Sequence, residues 1–140
     1  MAIHAELLLP AKDCSRHLDE LIKKMRDVKV SGSLNIFAYS PSQSELDKES
    51  AAEIKILLAL AKKDFDLFQE NLQNDNDWQE CFANPGFYQR TIEIIGERLH
   101  AVNLSGNVMP LITQLENISN NMNGVLETFL EFSCVEGYVK

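Results

Sequence analysis

Glu97-Arg-Leu-His100 sets a carboxylate and an imidazole one helical turn apart, with Glu93 one turn earlier. On one helix face that spacing is half of a di-iron or di-manganese site, which needs the motif twice and a Glu from each of two other helices. The second half is missing, because neither His4 nor His17 has a Glu three residues before it. Glu93, Glu97 and His100 thus support one alternative reading, a metal- or haem-binding helical bundle or enzyme. The plainer reading of the three is a surface ion-pair face. His100 lacks the aromatic and histidine pattern that would precede a haem ligand in a globin.

Cys14-Ser-Arg-His17 has the i, i+3 spacing that could ligate zinc or set a thiol beside a base. Zinc would need two more soft ligands, and only the remote His4, Cys81, His100 and Cys134 remain. Thiol hydrolysis would need a third, orienting group. The three cysteines are scattered and odd in number, which favours reduced, buried thiols over a disulfide framework. Asn74-Asp-Asn-Asp77 suggests calcium, but a loop begun at Asp75 places Glu80 where glycine is required and Gly86 where the bidentate Glu belongs. There is no Gly-x-Gly-x-x-Gly, no phosphate-binding lysine loop and no Gly-x-Ser-x-Gly. The residues call for no cofactor and weigh against an enzyme.

The elements that must carry these residues are helical. Leu18, Leu21, Ile22, Met25 and Val28 form one stripe after Asp13, ended by Ser31-Gly32-Ser33. Ser42-Gln-Ser-Glu45 reads as a capping box for a long helix with a face of Ala51, Ile54, Leu57, Leu58, Ala61, Phe65, Phe68 and Leu72. Ile56, Leu60 and Leu67 add a second strip, which implies that this helix is central in its fold or half of a dimer seam. Tyr88, Ile92, Ile95, Leu99 and Val102 mark a third helix, and Leu111 to Phe132 a fourth, ended by Gly137. Pro85 and Pro110 suit first turns. The expectation is an all-α antiparallel bundle of four main helices, about 12–30, 43–73, 86–103 and 108–134. A short extra helix near 77–83 and an irregular or β-like segment at 33–40, pairing with Ile3–Leu9 if it is a strand, complete one domain over 1–140.

Composition narrows the partners. With 140 residues, 45% hydrophobic and 24% charged, the chain is ordinary globular material. No window approaches a membrane span, and the first ten residues do not read as a signal peptide, so a cytoplasmic location is expected. The sequons at Asn103 and Asn117 would then go unused. A net charge of −8 argues against nucleic acid, whose phosphates attract clustered Lys and Arg. Residues 64–80 hold Asp64, Asp66, Glu70, Asp75, Asp77 and Glu80 without a single Lys or Arg, and Trp78 lies among them. Charge there would steer a basic partner and an aromatic would anchor it. Asn117, Asn120 and Asn121 add a charge-poor face on the last helix. The expected function is a non-enzymatic protein-binding module of inhibitor, immunity, chaperone or adaptor type. It would dock on another protein through an acidic helical surface. A structural, self-associating role with a homodimer is the remaining alternative.

Overall fold

The computed structural model describes residues 3–30, 45–104 and 108–134. They form an all-α bundle of four long helices: α1 (Ala5–Val30), α2 (Glu45–Asn74), α3 (Pro85–His100) and α4 (Val108–Leu130). A 3₁₀ helix, η1 (Asn76–Cys81), sits between α2 and α3. No described helix is long and apolar enough to cross a membrane. Residues 33–40 lie outside the described residues, as does Ser42 of the expected capping box.

α1 begins at Ala5, seven residues before the expected start, with Pro10 inside it. Proline removes one backbone hydrogen bond there. Against that loss, Leu8, Ala11 and Cys14 carry the buried stripe of Leu18, Leu21 and Met25 upstream without a break. Residues 5–9 therefore cannot pair as a strand. Only Ile3 and His4 are extended, and they pair in parallel with Ser133 and Cys134. The Ile3 N–H donates to the Phe132 carbonyl at 2.7 Å. α4 accordingly stops at Leu130 rather than near 134, since the chain must turn to bring Phe132 inward and reach Ile3.

Side-chain pairings fix the direction of each neighbour. His17 meets Asp64 and Lys24 meets Glu53, so α1 and α2 run antiparallel. Ser15 donates to Asn123, Ser119 to Asp19 and Arg26 to Glu116, which makes α1 and α4 antiparallel too. Gly96 faces Phe65 and Gln69 while His100 faces Asp66, giving α2 and α3 the same relation. α3 packs on α4, which closes a ring in which α2 and α4 are diagonal. Their inner faces meet through rings, Phe68 to Phe129 at 6.3 Å. Trp78, Phe82, Tyr88 and Phe132 extend that cluster around Phe129, with Phe82 and Tyr88 only 4.3 Å apart. Offset and edge-on rings add to what their burial alone contributes.

The turn at 74–81 is built from short polar side chains. Asp75 caps η1 by accepting the Asp77 N–H at 3.2 Å. Trp78 is 2% exposed, and its indole N–H donates to the Leu72 carbonyl at 3.1 Å, satisfying one of the last carbonyls of α2. Among the described residues, no buried side-chain polar atom lacks a partner.

Candidate docking face

α2 is apolar on two sides, but only one is buried. Ile54, Leu58, Ala61, Phe65, Phe68 and Leu72 face the core. Ile56, Leu60 and Leu67 face outward, exposed by 59%, 37% and 46%. The expectation that a two-sided helix would be central is therefore corrected. α2 has a neighbour on each flank, α1 and α3, and none over its outer face among the described residues. Ile56, Leu60, Lys63, Leu67 and Glu70 recur at spacings of four, three, four and three, the rhythm of a coiled-coil seam.

Paired charges border this seam on both sides. Toward α1, the His17 Nδ1–H donates to Asp64 at 2.7 Å, with both side chains mostly buried. One seam length away, Lys24 pairs with Glu53, whose hydrogen bond raises the ammonium's affinity for its proton. Toward α3, the His100 Nε2–H donates to Asp66 at 2.6 Å, and the Lys62 ammonium reaches the Val102 carbonyl at 3.4 Å. Asp64 and Asp66 are two residues apart, so the helix sends them to opposite flanks. An apolar centre with a polar rim is the anatomy of a protein interface.

The residues singled out from the sequence separate into three groups. Asp66 and Glu70 are exposed beside the seam, and Asp64 is half-withdrawn by His17. Asp75, Asp77 and Glu80 belong to η1, past the end of α2, where Asp75 is occupied as a cap. Trp78 is in the core and is not available as a surface anchor, which corrects that part of the expected acidic surface. Asn117, Asn120 and Asn121 are exposed, but on α4, diagonally opposite α2. A partner seated on α2 would not reach them.

The chemical constellations do not assemble. Arg90 lies 3.2 Å from Glu93 and 3.7 Å from Glu97, while His100 turns away to Asp66. That is an ion-pair face, and among the described residues no three His, Cys, Asp or Glu side chains converge as a metal site. Cys14 is fully buried, and desolvation, with the Asp64 carboxylate adding to it, pushes its thiol up to about 12. The thiolate is the nucleophile, so a thiol held protonated is inert even with His17 and Asp64 nearby. Cys81 is a free thiol, half-exposed beside Phe82 and Tyr88 in a cleft of about 530 Å³. A second cleft, about 390 Å³ between α1 and α4, is lined by Lys23 and Asp27 and by two pairs, Arg26 with Glu116 and Ser119 with Asp19.

No family model matches this chain, and neither a curated protein nor a solved structure matches it.

Proposed function

We propose that the chain is a non-enzymatic protein-binding module whose docking surface is the outer face of α2 with its acidic flank. The single observation that carries the reading is the exposed Ile56, Leu60 and Leu67 seam between the His17–Asp64 and His100–Asp66 pairs. Covering these side chains would remove apolar surface from water, and their alignment along one helix, with Lys63 between Leu60 and Leu67, sets them apart from hydrophobes scattered singly. Asp66 and Glu70 beside it, with no Lys or Arg from 64 to 80, favour a basic partner. A surface of this kind would suit an inhibitor, immunity, chaperone or adaptor role. A cytoplasmic location accords with the free thiols of Cys14 and Cys81.

Capture of the native partner from the source cell tests the reading. Leu67→Ser and Leu60→Ser remove apolar contact without adding charge, and loss of a central anchor costs about 2 kcal/mol or more, roughly thirtyfold in affinity. Charge reversal at Asp66 and Glu70 should weaken capture further and reduce its salt dependence. Asn117→Ala with Asn121→Ala on α4 should leave it unchanged. Capture that survives the α2 variants and fails with the α4 pair would transfer the docking surface to α4.

The same spacing supports a second reading, in which the α2 seam meets its own copy. Sedimentation at high protein concentration separates the two, because a monomer excludes the seam as a dimer interface.

A further inference from the structure

We infer that the element which seats on α2 is an amphipathic helix of another protein, basic at the end that lies over Leu67 and Glu70; the inference rests on the docking reading above. Its first support is geometric. The seam runs from Ile56 to Glu70, fourteen residues at about 1.5 Å each, so it is a ridge about 21 Å long, apolar at Ile56, Leu60 and Leu67 and charged at Lys63 and Glu70. A ridge that repeats every 3.5 residues is matched knob for hole by another helix and not by an extended strand, whose side chains repeat every two. Ala52 and Ala59 are exposed along the α3 side of the ridge, and small side chains there let a second backbone come close.

Charge sets the polarity of the occupant. Lys63 is the only cation on the seam itself, and beyond it come Asp64, Asp66 and Glu70. Asp64 and Asp66 are each engaged by a histidine, His17 and His100, and Asp64 is largely withdrawn from solvent. A helix lying here meets the exposed carboxylates of Glu70 and Asp66 at its Leu67 end, Asp66 shared with His100, and an ammonium in the middle. Lys or Arg at the first place and a neutral or acidic residue at the second complete the match.

A second copy of this chain fits less well. Antiparallel pairing that sets Ile56 against Leu67 of the copy also sets Glu70 against its Glu53 and Leu60 against its Lys63. Parallel pairing stacks Lys63 on Lys63 and Glu70 on Glu70. Each chain also brings a charge of −8. A helix laid on an apolar helical surface is a standard recognition mode.

The test uses the full chain and a displayed library of amphipathic helices about five turns long with randomised surface positions. The enriched pool should carry Leu, Ile or Met at 3.5-residue spacing with Lys or Arg concentrated at one end. Its affinity should fall at least about tenfold with Leu67→Ser, and again with Asp66→Lys and Glu70→Lys, and should weaken with added salt. Both serine and lysine variants lie on exposed positions, and circular dichroism confirms that they fold. An acidic, extended or absent pool, or one indifferent to Leu67→Ser, overturns the inference. So does a dimer that Leu67→Ser dissociates. In each of those cases capture of the native partner through α2 still decides the docking reading on its own.

Discussion

Gly96→Ala should destabilise the protein, although alanine is the better helix former. Gly96 is buried in α3, and a β-carbon built there stands 2.7 Å from Cε2 of Phe65 and 3.4 Å from the Gln69 amide. Gln69 can swing away, but Phe65 cannot. Its ring is fully buried and locked edge-on against Phe68 at 6.1 Å. Inserting a methyl into such packing costs about 1–3 kcal/mol, and a contact of 2.7 Å with a locked ring puts this site in the upper part of that range, about 2–3 kcal/mol. The helix gains back about 1 kcal/mol from the loss of glycine's conformational freedom. The net expectation is a loss of about 1–2 kcal/mol. Gly124 is the internal control, since it lies within α4 with nothing inside 4 Å of the position its β-carbon would take. Gly124→Ala should therefore show the propensity gain alone, about 0.5–1 kcal/mol of stabilisation. For a chain of 140 residues 1 kcal/mol is about 3 °C in Tm, so the two variants should melt roughly 5–9 °C apart on either side of wild type. Thermal and urea melts measure this directly. Phe65→Leu in the Gly96→Ala background should recover part of the loss, seen as a coupling of about 1 kcal/mol in a double-mutant cycle. A Gly96→Ala protein that melts at or above wild type would show that α3 and α2 do not approach as closely as described, and would remove the basis for His100 reaching Asp66.

Three further outcomes follow from burial. In native protein Cys81 should react with a thiol reagent while Cys14 stays protected until unfolding, as peptide mapping by mass spectrometry would show; rapid Cys14 labelling would contradict its burial. Because the Cys14 thiol ionises near 9.0 when unfolded and at about 12 when folded, its contribution is constant below pH 9. Above that the unfolded chain releases its proton first, so stability falls with rising pH, by up to roughly 4 kcal/mol over the window. Cys14→Ala should flatten that part of the curve in urea titrations, whatever its own cavity costs. Trp78, the single tryptophan, should emit at short wavelength and resist quenching by iodide; a red-shifted, readily quenched signal would place it on the surface after all.

Periodicity carried most of the helices. The stripe of Leu18, Leu21 and Met25 and that of Ile54, Phe65 and Leu72 needed only the 3.6-residue repeat, because a helix must turn its apolar side toward something. Element ends were less legible where a distant contact overrides the local signal. The sequence pattern starts the first helix near residue 12, yet Leu8 and Ala11 are buried by the rest of the bundle, and Gly137 reads as the stop, yet Phe132 is drawn out of helix by Phe82 and Ile3. Such contacts span 50 residues of sequence from Phe82 to Phe132 and 129 from Ile3 to Phe132, and leave no mark in a local window.

For the docking face the sequence by itself determined that α2 would be apolar on two sides and that the charged side chains of residues 64–80 would all be acidic. Only the tertiary structure decided which strip is covered. Residues on both strips have the same hydrophobicity, so nothing intrinsic to Ile56 or Leu67 distinguishes them from Ile54 or Leu72. The choice rests on where α1, α3 and α4 lie, and they lie against the strip that carries Phe65 and Phe68. The same packing took Trp78 inside and set Asn117, Asn120 and Asn121 on the far side of the bundle. Helical faces are local properties of the chain, whereas solvent exposure belongs to the assembly of helices, and a binding surface requires both.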